Sequence, residues 1–129
     1  MVIDEAARVL CVDDDELTLA LFGKYLQMQG LSPVLAIDGV QALSLLKDHT
    51  SEIKLVFLDL ALPHFDGYQV ASAIMASDQW SGIPIVVVTA HIEPWMADKL
   101  RELGVTEVIA KPFHPKRLRD ALVAHGILA

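Results

Sequence analysis

Short apolar runs rich in β-branched residues alternate along this chain with longer stretches whose apolar residues recur three and four positions apart, and few folds can accommodate that alternation. The first pattern has the period of a buried strand and the second that of an amphipathic helix. Repeated from end to end, they predict an α/β fold built from βα units. The runs Arg8 to Val12, Pro33 to Ile37, Leu55 to Leu58, Ile83 to Val88 and Glu107 to Ala110 predict five strands. Several are apolar throughout, as burial on both faces of a parallel sheet requires. The first of five predicted helices runs from about Glu16 to Gln29, with Leu17, Leu21, Phe22, Tyr25 and Leu26 along one side, and Gly30 stops it. The second begins near the N-cap Asp38 and turns Val40, Leu43, Leu46 and His49 inward. The third follows Asp66-Gly67 with Val70, Ala73 and Ile74; the fourth opens at Glu93-Pro94, ends at Gly104 and carries Met96, Leu100 and Leu103 inward. The fifth starts around Pro115 and uses Leu118, Leu122 and Val123.

No repeat, linker or low-complexity tract interrupts the series, so residues 1–129 are expected to form one domain around one core. Parallel strands joined by right-handed crossovers give a doubly wound sheet with helices on both faces. Mean hydropathy is high at +0.44, yet the longest apolar runs, such as Ile83 to Val88, are far shorter than the roughly 20 residues of a membrane helix. Met1 to Ala7 carries Asp4 and Glu5 and lacks the basic start of a secretion signal, so a cytoplasmic protein without a membrane partner is expected. Cys11 is the sole cysteine, which excludes an internal disulfide and a multi-cysteine metal site. Its apolar neighbours mark it as a small core residue and not a reactive thiol. A net charge of −7 opposes direct binding to nucleic acid, and Lys116, Arg117 and Arg119 read as a solvated helix face.

Ligands of doubly wound sheets lie beyond the carboxyl ends of the strands, so the polar residues there are the candidates for chemistry. The first strand ends in Asp13-Asp14-Asp15-Glu16. Helix-start charges account for one or two of these acids but not readily for four. Clustered hard oxygens favour Mg²⁺ or a similar divalent ion. The third strand ends in Asp59, the fourth in Thr89 and the fifth in Ala110-Lys111-Pro112. Singly, these are a turn-forming aspartate, an ordinary strand-end hydroxyl and a surface cation. On one rim they make a phosphoryl-transfer set: Asp59 as nucleophile, the acidic cluster to hold a neutralising metal, and Lys111 and Thr89 as donors to the phosphoryl oxygens. Lys111 is also expected to pair with Asp59 before reaction and keep it ionised.

Over nearly its whole length the chain resembles the receiver domains of two-component response regulators. The resemblance is carried by Val9-Leu10-Cys11-Val12-Asp13-Asp14-Asp15, by Leu55 to Pro63 with Asp66-Gly67, by Ile83-Pro84-Ile85-Val86-Val87-Val88-Thr89-Ala90, and by Lys111-Pro112-Phe113. It implies a flavodoxin-like (βα)₅ fold with strand order 2-1-3-4-5. It also implies Asp59 as phosphoacceptor, Thr89 as switch hydroxyl and Lys111 as phosphate-binding cation. Mg²⁺ or Mn²⁺ would be held by Asp14 directly, by Asp13 mainly through water, by Asp59 and by the backbone carbonyl of Ala61. Asp15 and Glu16 fall outside the family's acidic pair. The Lys111-Pro112 bond is implied to be cis. The implied partners are a histidine kinase or histidine phosphotransfer protein and a downstream effector at the face formed by helix four, strand five and helix five. The implied state is a monomer or a homodimer formed on phosphorylation. The protein would not be an enzyme beyond catalysing its own phosphotransfer and autodephosphorylation.

The chain departs from that pattern at Val108, where the family usually carries an aromatic ring that moves with the threonine. A ring-flip account of output therefore cannot apply. His91 and Ala61 occupy positions that tune phosphoryl lifetime in the family; His91 is either an aid to hydrolysis or an uninvolved loop residue. Trp95 lies off the inward stripe of helix four and is either an exposed partner contact or a ring folded over a neighbouring loop. Two rival functions remain. A phosphate-independent pseudo-receiver module is suggested by Val108 and opposed by the full polar set. A haloacid-dehalogenase-like phosphatase is faintly suggested by Asp13-x-Asp15, but such enzymes usually place a glycine near Glu16 and are generally longer. No Gly-x-Gly-x-x-Gly follows the first strand to support dinucleotide binding.

Overall fold

Strands Arg8–Val12 (β1), Ser32–Ala36 (β2), Ile53–Leu58 (β3), Ile85–Thr89 (β4) and Val105–Ala110 (β5) form one parallel sheet in the order β2-β1-β3-β4-β5. Helices Glu16–Met28 (α1), Gly39–Asp48 (α2), Gly67–Ala76 (α3), Met96–Glu102 (α4) and Pro115–Ala124 (α5) alternate with them. This is the flavodoxin-like order that the resemblance implied. The computed structural model describes residues 7–63 and 65–129; the stretch 1–6, part of the segment read for a secretion signal, lies outside the described residues. No helix among the described residues is long and apolar enough to cross a membrane.

The period-two alternation of the strands sorts the core onto two faces. Val9, Cys11, Leu55, Phe57, Val86 and Val88 face α1 and α5, where Phe22, Leu26, Leu118 and Leu122 meet them. Leu10, Val12, Val56, Leu58 and Ile85 face α2 and α3, against Leu46, Val70 and Ile74. A smaller third cluster lies under α4: Leu60, Val87, Met96 and Leu100, with Tyr68, Val105 and Val108 packed at its margin. Cys11 is fully buried, and that burial, with the charge of Asp13 adding to it, pushes its thiol far up. It is the core residue its neighbours suggested.

Several helix starts and stops follow from the local chemistry. Asp38 caps α2 by accepting from the backbone N–H of Gln41, and Asp66 forms a reciprocal capping box with Gln69 at α3. Gly30 ends α1 at φ 83°, a conformation that costs glycine little.

The inward faces of the helices correct the sequence reading. Leu19, Phe22, Gly23 and Leu26 bury α1, while Leu17 and Leu21, expected inside, are exposed. In α2, Ala42 and Leu46 are buried and Val40 is exposed; in α5, Ala121 is buried and Val123 exposed. In each helix a small residue, Gly23, Ala42 or Ala121, lies on the buried face while a larger apolar neighbour is exposed. Helix α4 begins at Met96 and not at Glu93-Pro94, because Glu93 to Met96 forms a preceding turn. Four strands also shift: β2 runs Ser32–Ala36 and not Pro33 to Ile37, β3 starts at Ile53, β4 runs Ile85–Thr89 and β5 starts at Val105. Sheet pairing, which the apolar pattern does not encode, sets these ends.

Candidate functional site

The carboxyl ends of β1, β3, β4 and β5 bring the predicted polar residues to one rim. Ladder hydrogen bonds continue one residue past β1 and β3: Asp13 N–H donates to the Ala36 carbonyl and Asp59 N–H to the Val12 carbonyl, both at 3.0 Å. The sheet itself therefore sets where both carboxylates start. Asp13 is 1% exposed and Asp59 6%. The Lys111 ammonium, just past β5, donates to Asp13 Oδ2 at 2.5 Å and to Asp59 Oδ2 at 3.0 Å. The expected Lys111–Asp59 pair is present, and Asp13 is a second partner that the sequence reading does not name. Asp14 is exposed, and one carboxylate oxygen from each of Asp13, Asp14 and Asp59 lies within 4.8 Å of the others.

The remaining oxygens are pinned by nearby backbone. Asp13 Oδ1 accepts from the N–H of Asp15 at 2.9 Å, and Asp59 Oδ1 from the N–H of Ala61 at 3.1 Å. Asp15 is one of the acids that serve the helix start. It caps α1, and its carboxyl is held below its ordinary value by the Thr18 hydroxyl and the Leu17 N–H.

The electrostatics of the cluster favour a bound cation. Burial pushes the Asp13 carboxyl up, and the hydrogen bond from Lys111 only partly offsets it. Burial alone would lower the Lys111 ammonium, but its two carboxylate partners together outweigh that and raise it. One ammonium thus serves two buried carboxylates beside an exposed third, so negative charge is left over. A hard divalent ion that takes one or two carboxylates and keeps several waters, such as Mg²⁺ or Mn²⁺, fits this oxygen donor set.

Thr89 closes β4 and is 2% exposed; its Oγ1 accepts from the N–H of His91 at 3.4 Å. The Lys111 N–H donates to the Thr89 carbonyl at 2.8 Å, which fixes the ends of β4 and β5 together. The Lys111-Pro112 bond is cis. His91 is exposed and its Nε2 lies 2.6 Å from a Glu93 carboxylate oxygen. Trp95 is 62% exposed, and its ring stacks on Tyr68 of α3.

Gly67 contributes to the site in a way sequence reasoning missed. The sequence marks it only as a turn, but a Cβ there would stand 2.3 Å from the Asp59 carbonyl oxygen and 2.5 Å from the Leu60 Cα. The start of α3 therefore lies directly against the backbone that carries Asp59. Also missed was an apolar groove of about 760 Å³ between α1 and the start of α5. Leu21, Tyr25, Met28, Phe113 and Leu118 line it, together with Lys111. The signal was present in Leu21 and Met28, one apolar stripe away from the buried face.

Comparison with known proteins agrees with this geometry. The family model described as response regulator receiver domain matches residues 9–123. The polar-differentiation response regulator DivK of Brucella anthropi is 26% identical over 117 residues, covering 91% of this chain and 94% of that protein. The probable transcriptional regulator ycf27 of Guillardia theta is 34% identical over 124 residues, 95% of this chain but 46% of that protein. Among solved structures, the chemotaxis protein CheY4 of Vibrio cholerae superposes with a TM-score of 0.86 at 26% identity, covering 95% of this chain and 98% of that one. A CheX-CheY-BeF3-Mg²⁺ complex from Borrelia burgdorferi gives 0.83 at 26% identity, covering 92% and 88%. With the matched model spanning all five strands, the chain belongs to the response regulator receiver domain family of two-component systems.

Proposed function

We propose that this chain is a phosphoacceptor: Asp59 takes a phosphoryl group from a phosphohistidine of a histidine kinase or histidine phosphotransfer protein. The observation that carries the reading is the single Lys111 ammonium shared by buried Asp13 and Asp59, with Asp14 completing an oxygen cluster. An Asp59 carboxylate oxygen attacks phosphorus, the phosphorus–nitrogen bond breaks, and its electron pair stays on the imidazole, which takes up a proton. Mg²⁺ or Mn²⁺ held by Asp13, Asp14, Asp59 and the Ala61 carbonyl would neutralise the phosphoryl oxygens. Lys111 and the Thr89 hydroxyl donate to those oxygens, and Thr89 draws the β4–α4 loop with it. The protein acts as a switch and not as a turnover enzyme, in the cytoplasm where phosphoryl donors are charged. The effector binds the face made by α4, β5 and α5. Gain of one phosphoryl mass from acetyl phosphate, dependent on Mg²⁺, tests the reading; no gain from either acetyl phosphate or a phosphorylated histidine donor would favour the phosphate-independent alternative.

The phosphodonor docks on the apolar groove, a reading supported by Lys111, which both lines the groove and pairs with Asp59. Leu21, 59% exposed on its rim, should be an anchor. Leu21→Asp is expected to slow phosphotransfer from a phosphorylated protein donor by about tenfold or more, as loss of an interface anchor does. The same variant should react with acetyl phosphate at the wild-type rate. Equal slowing with both donors would place the effect in the fold and not in docking.

A further inference from the structure

Tyr68 and Trp95 stack with ring centroids 6.5 Å apart and planes 19° from parallel. The Lys99 ammonium lies 5.2 Å from the Tyr68 ring centroid. Tyr68 is the second residue of α3 and follows Gly67, which rests on the backbone of Asp59 and Leu60. Trp95 stands at the far end of the loop that begins with Thr89, immediately before α4. The pair thus bridges the segment after the acceptor carboxylate and the segment after the strand-end hydroxyl. Trp95 is held there by the stack more than by burial, and it gives α4 no side-chain cap.

Val108 offers only a short aliphatic side chain to the cluster of Leu60, Val87, Met96 and Leu100, and Tyr68 packs at the margin of the same cluster. The aromatic surface on this side of the sheet comes from α3 and the β4–α4 loop, not from β5.

The structure assigns a latch to the Tyr68–Trp95 pair: the stack holds the start of α4 against α3 and opposes the loop movement that accompanies phosphorylation of Asp59. The assignment rests on the phosphoacceptor reading. Tyr68 is fixed to the acceptor side through Gly67, so a displacement of the β4–α4 loop that carries Trp95 with it slides or parts the rings. Weakening the stack then makes the displaced arrangement cheaper, and a ligand that prefers that arrangement gains affinity by up to the same factor.

Tyr68→Leu removes the ring, and Trp95→Leu removes its partner from an exposed position where loss of fold is not expected. Each should accept a phosphoryl group from acetyl phosphate about three- to tenfold faster than wild type, the range set by the worth of an aromatic pair. Each should also bind beryllofluoride with Mg²⁺ tighter by a similar factor. Tyr68→Phe keeps the ring and should match wild type. In a Trp80→Phe background Trp95 is the one remaining tryptophan. Its emission should shift when beryllofluoride and Mg²⁺ are added, and Tyr68→Leu should show a shifted emission before addition. Mass gain at equal or slower rates in both ring-removal variants, or a Trp95 emission indifferent to beryllofluoride, would overturn the latch alone. Absence of mass gain in wild type with every donor would overturn the phosphoacceptor reading and the latch with it.

Discussion

Asp59→Asn is expected to gain no phosphoryl mass under conditions in which the wild-type chain gains one. The carboxamide lacks the anionic oxygen that attacks phosphorus, and its nitrogen lone pair is delocalised into the carbonyl, so the loss should be complete on the scale of intact-mass detection. The fold should survive. Lys111 keeps Asp13 as a partner at 2.5 Å, and the amide oxygen can still accept from the Ala61 N–H that now binds Asp59 Oδ1. Removing one of the three clustered carboxylates also lessens their mutual repulsion, so the melting temperature should be equal to that of wild type or higher. Phosphorylation that persists in Asp59→Asn would move the acceptor to another acid of the cluster, with Asp14 the exposed candidate.

Gly67→Ala should have the largest effect on stability relative to the size of the change. The added methyl carbon would meet the Asp59 carbonyl oxygen and the Leu60 Cα, both backbone atoms that cannot rotate away. Overpacking of this kind costs about 3 kcal/mol when backbone must move. For a domain of this size that lowers the melting temperature by about 10 °C. The displaced backbone carries the acceptor, so the surviving folded protein should also be phosphorylated more slowly. Gly82→Ala serves as the control: nothing lies within 4 Å of where its added methyl carbon would stand, and its melting temperature should change little. A Gly67→Ala protein that melts with wild type would show that the start of α3 can yield, and that the acceptor loop is not braced by it.

The site is more legible in the chain than the packing is. Asp13, Asp59, Thr89 and Lys111 each follow an apolar run, and in a doubly wound sheet a polar residue at a strand's carboxyl end is driven to the ligand rim by topology alone. Which face of a helix is buried depends instead on neighbours that the local pattern does not contain. Leu17, Leu21 and Leu26 look alike in sequence, yet Gly23 permits α1 to lie close to Leu35 on β2, and that contact rotates Leu17 and Leu21 outward. Val40 and Val123 also face solvent, against expectation. The bifurcated pairing of Lys111 with Asp13 as well as Asp59 joins residues far apart in the chain, and Gly67 meets the acceptor backbone across a short loop; no spacing rule announces either contact. The position of Trp95 off the inward stripe is readable from the sequence, but its partner Tyr68 comes from α3, in another part of the chain.

Helix α4 is the shortest helix described, seven residues, and only Met96 and Leu100 of them are buried. It carries no side-chain cap and rests on the smallest of the three apolar clusters. Segments with so little buried area open on their own, at a fraction of the free energy needed to unfold the whole domain. Its amide hydrogens should therefore exchange with solvent deuterium well before those of β1, β3 and β4, which are buried on both faces. Local melting would make this helix the easiest part of the molecule to redraw, both within the lifetime of one folded chain and across sequences that share the same rim of acids, threonine and lysine.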